Sequence, residues 1–177
     1  MNVTHVSCAC GRVELELTGK AMVNAECCCT SCREGSTRIE ALPGAPQVRT
    51  PLGTTRYVLY RKDRVRFSKG AELLREFYLT PQSKTRRVVA GCCNSPVFLE
   101  FKGGHWLSLY GSLWSENTLP PLEMRTMASD WPELPPLPTD VPNHKTQSGS
   151  FFFKLLTAWI AMGFRVPKIA VAKSIDA

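Results

Sequence analysis

The chain has 177 residues, 44% of them hydrophobic and 21% charged, a composition that excludes wholesale disorder. That length predicts one domain with a tail, and no run reaches the roughly 18 uninterrupted apolar residues that span a bilayer. Lysine and arginine number 22 against 15 acidic residues, a net charge of +7, which brings in nucleic-acid or chromatin binding as a rival reading.

In chain order, the start Met1-Asn2-Val3-Thr4-His5 lacks the basic-then-apolar build of a secretory signal. The eight cysteines are therefore expected in a reducing cytoplasm, as metal ligands or catalytic groups and not as a disulfide framework. Val13, Leu15 and Leu17 alternate with Glu14, Glu16 and Thr18, the period-2 pattern of a half-buried strand. Further strands are expected at Thr55–Tyr60, Val65–Phe67, Glu76–Leu79, Arg87–Val89 and Val97–Phe101, all rich in β-branched and aromatic residues. Turn signals at Pro43-Gly44, Pro51-Leu52-Gly53, Lys69-Gly70 and Gly103-Gly104 separate them. Many short strands at close spacing predict an all-β domain of short antiparallel strands over residues 1–126.

Residues 127–149 hold Pro132, Pro135, Pro136, Pro138 and Pro142, which predicts a stiff connector or a strap across the surface. Residues 150–177 form a tail whose start, from Phe151 to Met162, has helix length and is apolar nearly all round. Such a helix needs a partner. Docking on its own domain is the first expectation, a homodimer contact the second and an interfacial membrane anchor the third.

The thiols fall into three knots: Cys8 and Cys10; Cys27, Cys28, Cys29 and Cys32; and Cys92 and Cys93. Cysteines two or three residues apart in a short loop can chelate zinc, which takes four tetrahedral ligands. Cys28 lies between two ligands and is expected to point away from them. Cys27, Cys29 and Cys32 then give the three thiolates of a catalytic zinc with one open position. The outer knots would share a structural ion that ties the first strand to a late hairpin.

Cys8-x-Cys10-Gly11-x-Val13, then Cys27-x-Cys29-x-x-Cys32-Arg33 and a late cysteine knot ending in Asn94-Ser95, resembles the glutathione-dependent formaldehyde-activating enzyme and centromere protein V family over about residues 5–115. The resemblance implies a zinc-stapled β-tent fold with two zinc sites. Cys27, Cys29 and Cys32 would take the catalytic ion, and Cys8, Cys10 and Cys93 the structural one. It also implies a carbon–sulfur lyase activity on glutathione or a related small thiol, as in S-(hydroxymethyl)glutathione formation. One departure stands out. If Cys93 fills the second place of the family's late CxxC, the first place falls on Ala90, and Cys92 must substitute.

A thiol entering the open position of such a zinc is deprotonated and can attack an aldehyde carbon. Arg33, next to Cys32, is the first candidate to bind a substrate carboxylate, with Arg38, Arg56 and Arg87 behind it. His5 and His105 are secondary candidates for a missing ligand or base, and His144 in the proline-rich stretch is expected to be solvated. The alternative reading is a non-catalytic zinc-binding interaction module that uses the apolar tail as its contact. Nucleic-acid binding through Arg61–Arg66 and Lys84–Arg87 ranks third, because charge runs of this size are usually solvated faces.

Overall fold

The computed structural model describes residues 2–115, 117–132, 135–171 and 173–175; parts of the expected connector and tail, at 133, 134, 172, 176 and 177, lie outside them. Strands β1 (Val3–Ser7) and β2 (Glu14–Thr18) form an antiparallel hairpin with Val6 opposite Leu15. Strand β5 (Val65–Lys69) pairs with the other edge of β2, making a three-stranded sheet. Alternation sets the two faces of β2: Leu15 and Leu17 are sealed inside, while Glu14 and Glu16 reach out to Lys69 and Arg66.

The second sheet contains β3 (Val23–Cys27), β4 (Thr55–Arg61), β6 (Leu74–Phe77), β7 (Thr85–Ala90), β8 (Ser95–Phe101), β9 (Trp106–Tyr110), β10 (Met124–Thr126) and β11 (Lys173–Ser174). Their order is β10-β3-β4-β9-β8-β7-β6-β11. Its central strands are covered on both sides, which is why they read as continuous apolar runs and not as alternations. Val58, Val88 and Phe98 face the small sheet and pack on Leu15 and Leu17. Tyr57, Leu59, Val89 and Leu99 face the opposite way, toward the helices.

Two features correct the expectation of an all-antiparallel β domain with one C-terminal helix. The outermost pairings, β10 on β3 and β11 on β6, are parallel, so the sheet is mixed. Parallel partners need long excursions of chain between them, and these two edges are joined only after the intervening strands are laid down. Second, helix α1 (Thr30–Glu40) follows β3 inside the β region. Its inward residues are Cys32, Gly35, Ser36 and Ile39, at the i, i+3, i+4, i+7 spacing of a helical face. Only one of the four is a large apolar side chain, so the sequence carries no hydrophobic stripe there.

Helix α2 (Gly149–Ala161) starts at Ser148, whose Oγ accepts from the Phe151 amide at 3.2 Å. It docks on its own domain through Phe151, Leu155, Ala158 and, just past its end, Met162. His105 lies under it, with Nε2 2.8 Å from the Leu155 carbonyl oxygen and its ring stacked on Trp159 at 5.7 Å. Phe153, Leu156 and Ile160 on the outer face, Phe152 at the edge of the cavity beside the helix and Phe164 past the helix end are exposed. Among the described residues, no helix is long and apolar enough to cross a membrane. The proline-rich stretch is a strap alongside β10: the Arg125 amide donates to the Pro142 carbonyl and the Arg125 carbonyl accepts from the His144 amide, both at 2.9 Å. Its guanidinium bridges Glu26 at 2.9 Å and Asp140 at 2.7 Å.

Burial, together with the charges of Lys62 and Arg61, pushes the His105 pKa below its ordinary value, against the hydrogen bond to Leu155. The folded protein therefore takes up this proton later than the unfolded chain. The stability it contributes is complete above the unfolded value of about 6.5 and is lost as pH falls through that value toward the folded one. Urea midpoints should accordingly decline as the pH falls below about 6.5. His105→Gln, which can still donate to the Leu155 carbonyl but does not titrate, should decline less; parallel losses in both proteins would exclude His105 as the source.

Candidate metal centre

The middle knot is built by the junction of β3 and α1. Cys27 is the last residue of β3, Cys29 is the N-cap of α1, and Cys32 lies in its first turn. Capping needs a side-chain acceptor for a free helical amide; here the Cys29 sulfur serves, accepting from the Cys32 amide at 3.3 Å. The three sulfurs lie within 4.8 Å of one another, with Cys27 and Cys29 3.3 Å apart. Tyr57 on β4 directs its hydroxyl at the Cys32 sulfur from 3.6 Å. Cys28 is wholly buried, turned out of the cluster, with its amide bonded to the Thr126 carbonyl.

Cys29 is the thiol that ionises first. Hydrogen bonds from the Cys27 and Cys32 thiols, then the Cys32 amide and the charge of Arg87, outweigh its burial and hold its pKa down at about 3. Donation to Cys29 and Cys32 pushes Cys27 the other way. The start of a helix adds its own partial positive charge to this thiolate site.

Arg87, on β7, is completely buried. One guanidinium nitrogen donates to the Ser31 carbonyl at 2.7 Å and to its hydroxyl at 3.0 Å. Among the described residues, the Nε and Nη1 groups make no hydrogen bond and no carboxylate pairs with the guanidinium. The helix is shaped around it: a Cβ at Gly35 would fall 2.0 Å from Arg87 Nε. A buried charge left uncompensated costs several kcal/mol. The groups that can answer it are the thiols, and Arg87 does act on Cys29. Three thiolates around a divalent cation carry one net negative charge, which matches one guanidinium. The donor set, its spacing and its counter-charge all fit a thiophilic divalent metal such as zinc.

The outer knots meet across the molecule. Cys8 and Cys10 lie in the turn between β1 and β2, Cys92 and Cys93 in the turn between β7 and β8, and all four sulfurs fall within 4.8 Å of one another. The separations Cys8–Cys10, Cys8–Cys92, Cys10–Cys92 and Cys92–Cys93 are 3.6, 3.8, 3.4 and 3.9 Å. Zinc–thiolate bonds of about 2.3 Å in a tetrahedron put sulfurs about 3.8 Å apart. Vicinal cysteines on a strand would point to opposite faces. Here the Cys93 amide closes a turn onto the Ala90 carbonyl at 3.2 Å, and Asn94 takes a left-handed conformation, φ 53°. That backbone brings both side chains to one point, while Ala90 is sealed in the core. Ser95 Oγ ties the knots together, accepting from the Ala9 amide at 3.0 Å and lying 3.1 Å from the Cys93 sulfur. Burial raises the Cys93 thiol, but hydrogen bonds from Ser95 and the Cys10 backbone overcome this and hold it near 6.

The remaining sequence candidates lie elsewhere. Arg33 donates to the Asp130 carbonyl at 3.0 Å and stacks over Trp131 at 5.5 Å, which clamps the strap to α1. Arg56 is buried on β4 and donates to the Pro120 carbonyl at 2.7 Å. Arg38 pairs with Glu34 one helical turn away at 2.8 Å. None of the three histidines belongs to either cysteine group. The basic runs are largely taken up by ion pairs: Arg61 with Asp63, Lys62 with Glu100, Arg66 with Glu16, and Arg86 with Glu76 and Glu100. Sequence reasoning placed Arg87 behind Arg33. The available signal was an arginine beginning the apolar stretch Arg87-Val88-Val89, where a charge must find a buried partner.

Loaded with zinc, the protein should hold two ions per chain by native mass spectrometry. Cys28→Ala should leave the count at two, whereas Cys29→Ala and Cys93→Ala should each leave one. Two ions on Cys29→Ala would separate the middle cluster from metal binding.

No family model matches this sequence, and no curated protein matches it. Among solved structures, the chain is similar to a crystal structure of a Rhodobacter sphaeroides protein from structural genomics, at 17% identity and a TM-score of 0.46, covering 67% of this chain and 97% of that one.

Proposed function

We propose that this protein is a zinc-dependent carbon–sulfur lyase-like enzyme of the glutathione-dependent formaldehyde-activating and centromere protein V type, working on the adduct of a small thiol with an aldehyde in a reducing cytoplasm. The observation that carries the reading is the three-cysteine group, one ligand short of a closed site, balanced by a buried guanidinium and bordering a cavity that Cys27 and Cys32 help to line. A purely structural site has no need of an unfilled position. On this reading Cys8, Cys10, Cys92 and Cys93 hold a second, closed zinc that fastens the β1–β2 turn to the β7–β8 turn.

Zinc held by three thiolates supplies one thing here: it lowers the pKa of an incoming thiol, so that a nucleophile exists at neutral pH. The chain's residues do the rest. Cys27, Cys29 and Cys32 hold the ion, and Arg87 balances their charge. Tyr57 donates toward Cys32 and fixes that sulfur's orientation. Ser108 and Thr126, which line the cavity, offer hydroxyls to a carbonyl oxygen. In the synthetic direction the thiol sulfur forms a bond to the aldehyde carbon, the carbonyl π pair moves to oxygen, and the thiol proton ends on that oxygen. The lyase direction reverses each of these.

Zinc-loaded protein should speed the exchange between formaldehyde, a small thiol and their hemithioacetal, read by exchange NMR, and Cys29→Ala should reduce the rate to the uncatalysed level. Wild-type protein that leaves the exchange rate unchanged would reject the enzyme reading.

A second reading, a zinc-stabilised interaction module that pairs with a second copy, is favoured by one observation: the outer face of α2 exposes Phe153 by 67% together with Leu156 and Ile160, and Phe164, just past the helix, is exposed by 60%. Contiguous exposed apolar patches mark contact surfaces. Sedimentation at micromolar concentration should then show a dimer that Phe153→Ser converts to monomer; a monomeric wild type would dismiss this contact.

A further inference from the structure

The cavity beside the middle cysteine group has a volume of about 420 Å³, within the range of small-molecule sites. Cys27, Cys32 and Tyr57 line the end of it next to the cysteine group. Leu59, Leu99, Phe101 and Trp106 form the wall on the sheet side, with the Phe101 and Trp106 rings 5.7 Å apart. Helix α2 supplies the opposite wall through Phe151, Phe152 and Leu155. Helix α2 is thus part of the site and supplies one of its walls.

The charge lining is sparse. Lys102, exposed at the rim, is the one cation among the described lining residues, and no carboxylate lines the cavity. Glutathione carries two carboxylates and an ammonium, and each would need a partner on entering such a space, since unpaired charges are costly to desolvate. Arg33, the arginine next to the cluster in sequence, is engaged with Trp131 and Asp130 and does not line this cavity. Arg87 is held by Ser31 behind the cysteines. Aromatic walls of this kind favour planar apolar groups, through burial and ring–ring contact.

We propose that this cavity binds an apolar, aromatic-bearing thiol or its aldehyde adduct, with the sulfur toward Cys27 and Cys32 and the ring between Trp106 and Phe152. The proposal rests on the reading that the cysteine group activates a thiol, and it names the substrate class for that site. It also gives α2 a function: its inner face selects the ligand, and without the helix the cavity loses one wall.

Calorimetric titration of the zinc-loaded full chain with phenylmethanethiol, benzyl alcohol and glutathione tests it. Phenylmethanethiol should bind at least about ten-fold more tightly than glutathione, and benzyl alcohol should compete with it for the same site. Trp106→Ala should weaken both aromatic probes about ten-fold. Phe152→Ser, at a half-exposed position where folding tolerates the change, should weaken them about three-fold, and Phe153→Ser, on the outer face of α2, should leave them as they were. Glutathione binding as tightly as the aromatic thiol, or Phe152→Ser leaving aromatic binding unchanged, would overturn the proposal. The two layers come apart in the same experiment. Benzyl alcohol binding as tightly as the thiol upholds the cavity and rejects thiol activation; glutathione binding alone rejects the aromatic cavity and leaves thiol activation standing.

Discussion

The buried guanidinium of Arg87 is the constraint around which the centre of this protein is arranged. A buried arginine with no carboxylate partner among the described residues must be met by other negative charge, and its position on β7 places it behind the cysteines at the start of α1. Several otherwise unrelated residues follow from that. Gly35 must lack a side chain, although glycine inside a helix costs about 1 kcal/mol relative to alanine, because Arg87 occupies the space. Ser31 turns both its carbonyl and its hydroxyl toward the guanidinium. Cys29 becomes the preferred thiolate in the group, and α1 begins where that thiolate can accept an amide.

The two cysteine groups solve different problems with the same donor. The outer one brings together two turns more than eighty residues apart in sequence, Cys8 to Cys92, one from the small sheet and one from the large. The region it fastens is where β1, β2 and β5 have only three strands of their own, too few for a robust sheet without packing partners. The middle one is assembled over six consecutive residues at a strand–helix junction, with Cys32 and Tyr57 anchored in the core behind it. The first group uses four sulfurs and the second three. That difference in donor number is the chemical basis of the separate tasks proposed for them.

Helix α2 connects the tail to this centre. Leu155 and Phe151 pack into the helix-side core, and His105 and Trp159 stack beneath the helix. The strap that delivers α2 is itself pinned by Arg125 between Glu26 and Asp140, and by Arg33 against Trp131. Glu26 precedes Cys27 by one residue, so the strap is tied to the same strand that ends in the middle cysteine group. The tail is thereby positioned by elements that also position the sulfurs.

Much of the chemistry was legible in the sequence because it is local. The spacing of Cys27, Cys29 and Cys32, the exclusion of Cys28, the alternation in β2, the β-branched and aromatic strands at Thr55, Arg87 and Val97, and the apolar helix near the C-terminus are all short-range patterns. Helix α1 was hidden because its inner face is cysteine, glycine and serine, which periodicity in hydrophobic residues does not register. The parallel edge strands were hidden because they are two or three residues long and pair with distant partners. The sequence by itself determined the donors and their local spacing. Tertiary structure decided which turns meet, that a vicinal pair can share one point through the left-handed Asn94, that Arg87 and not Arg33 stands behind the cysteines, and that α2 walls an aromatic cavity. Each of these depends on long-range packing, where strand register and burial, not neighbouring residues, choose what a side chain faces.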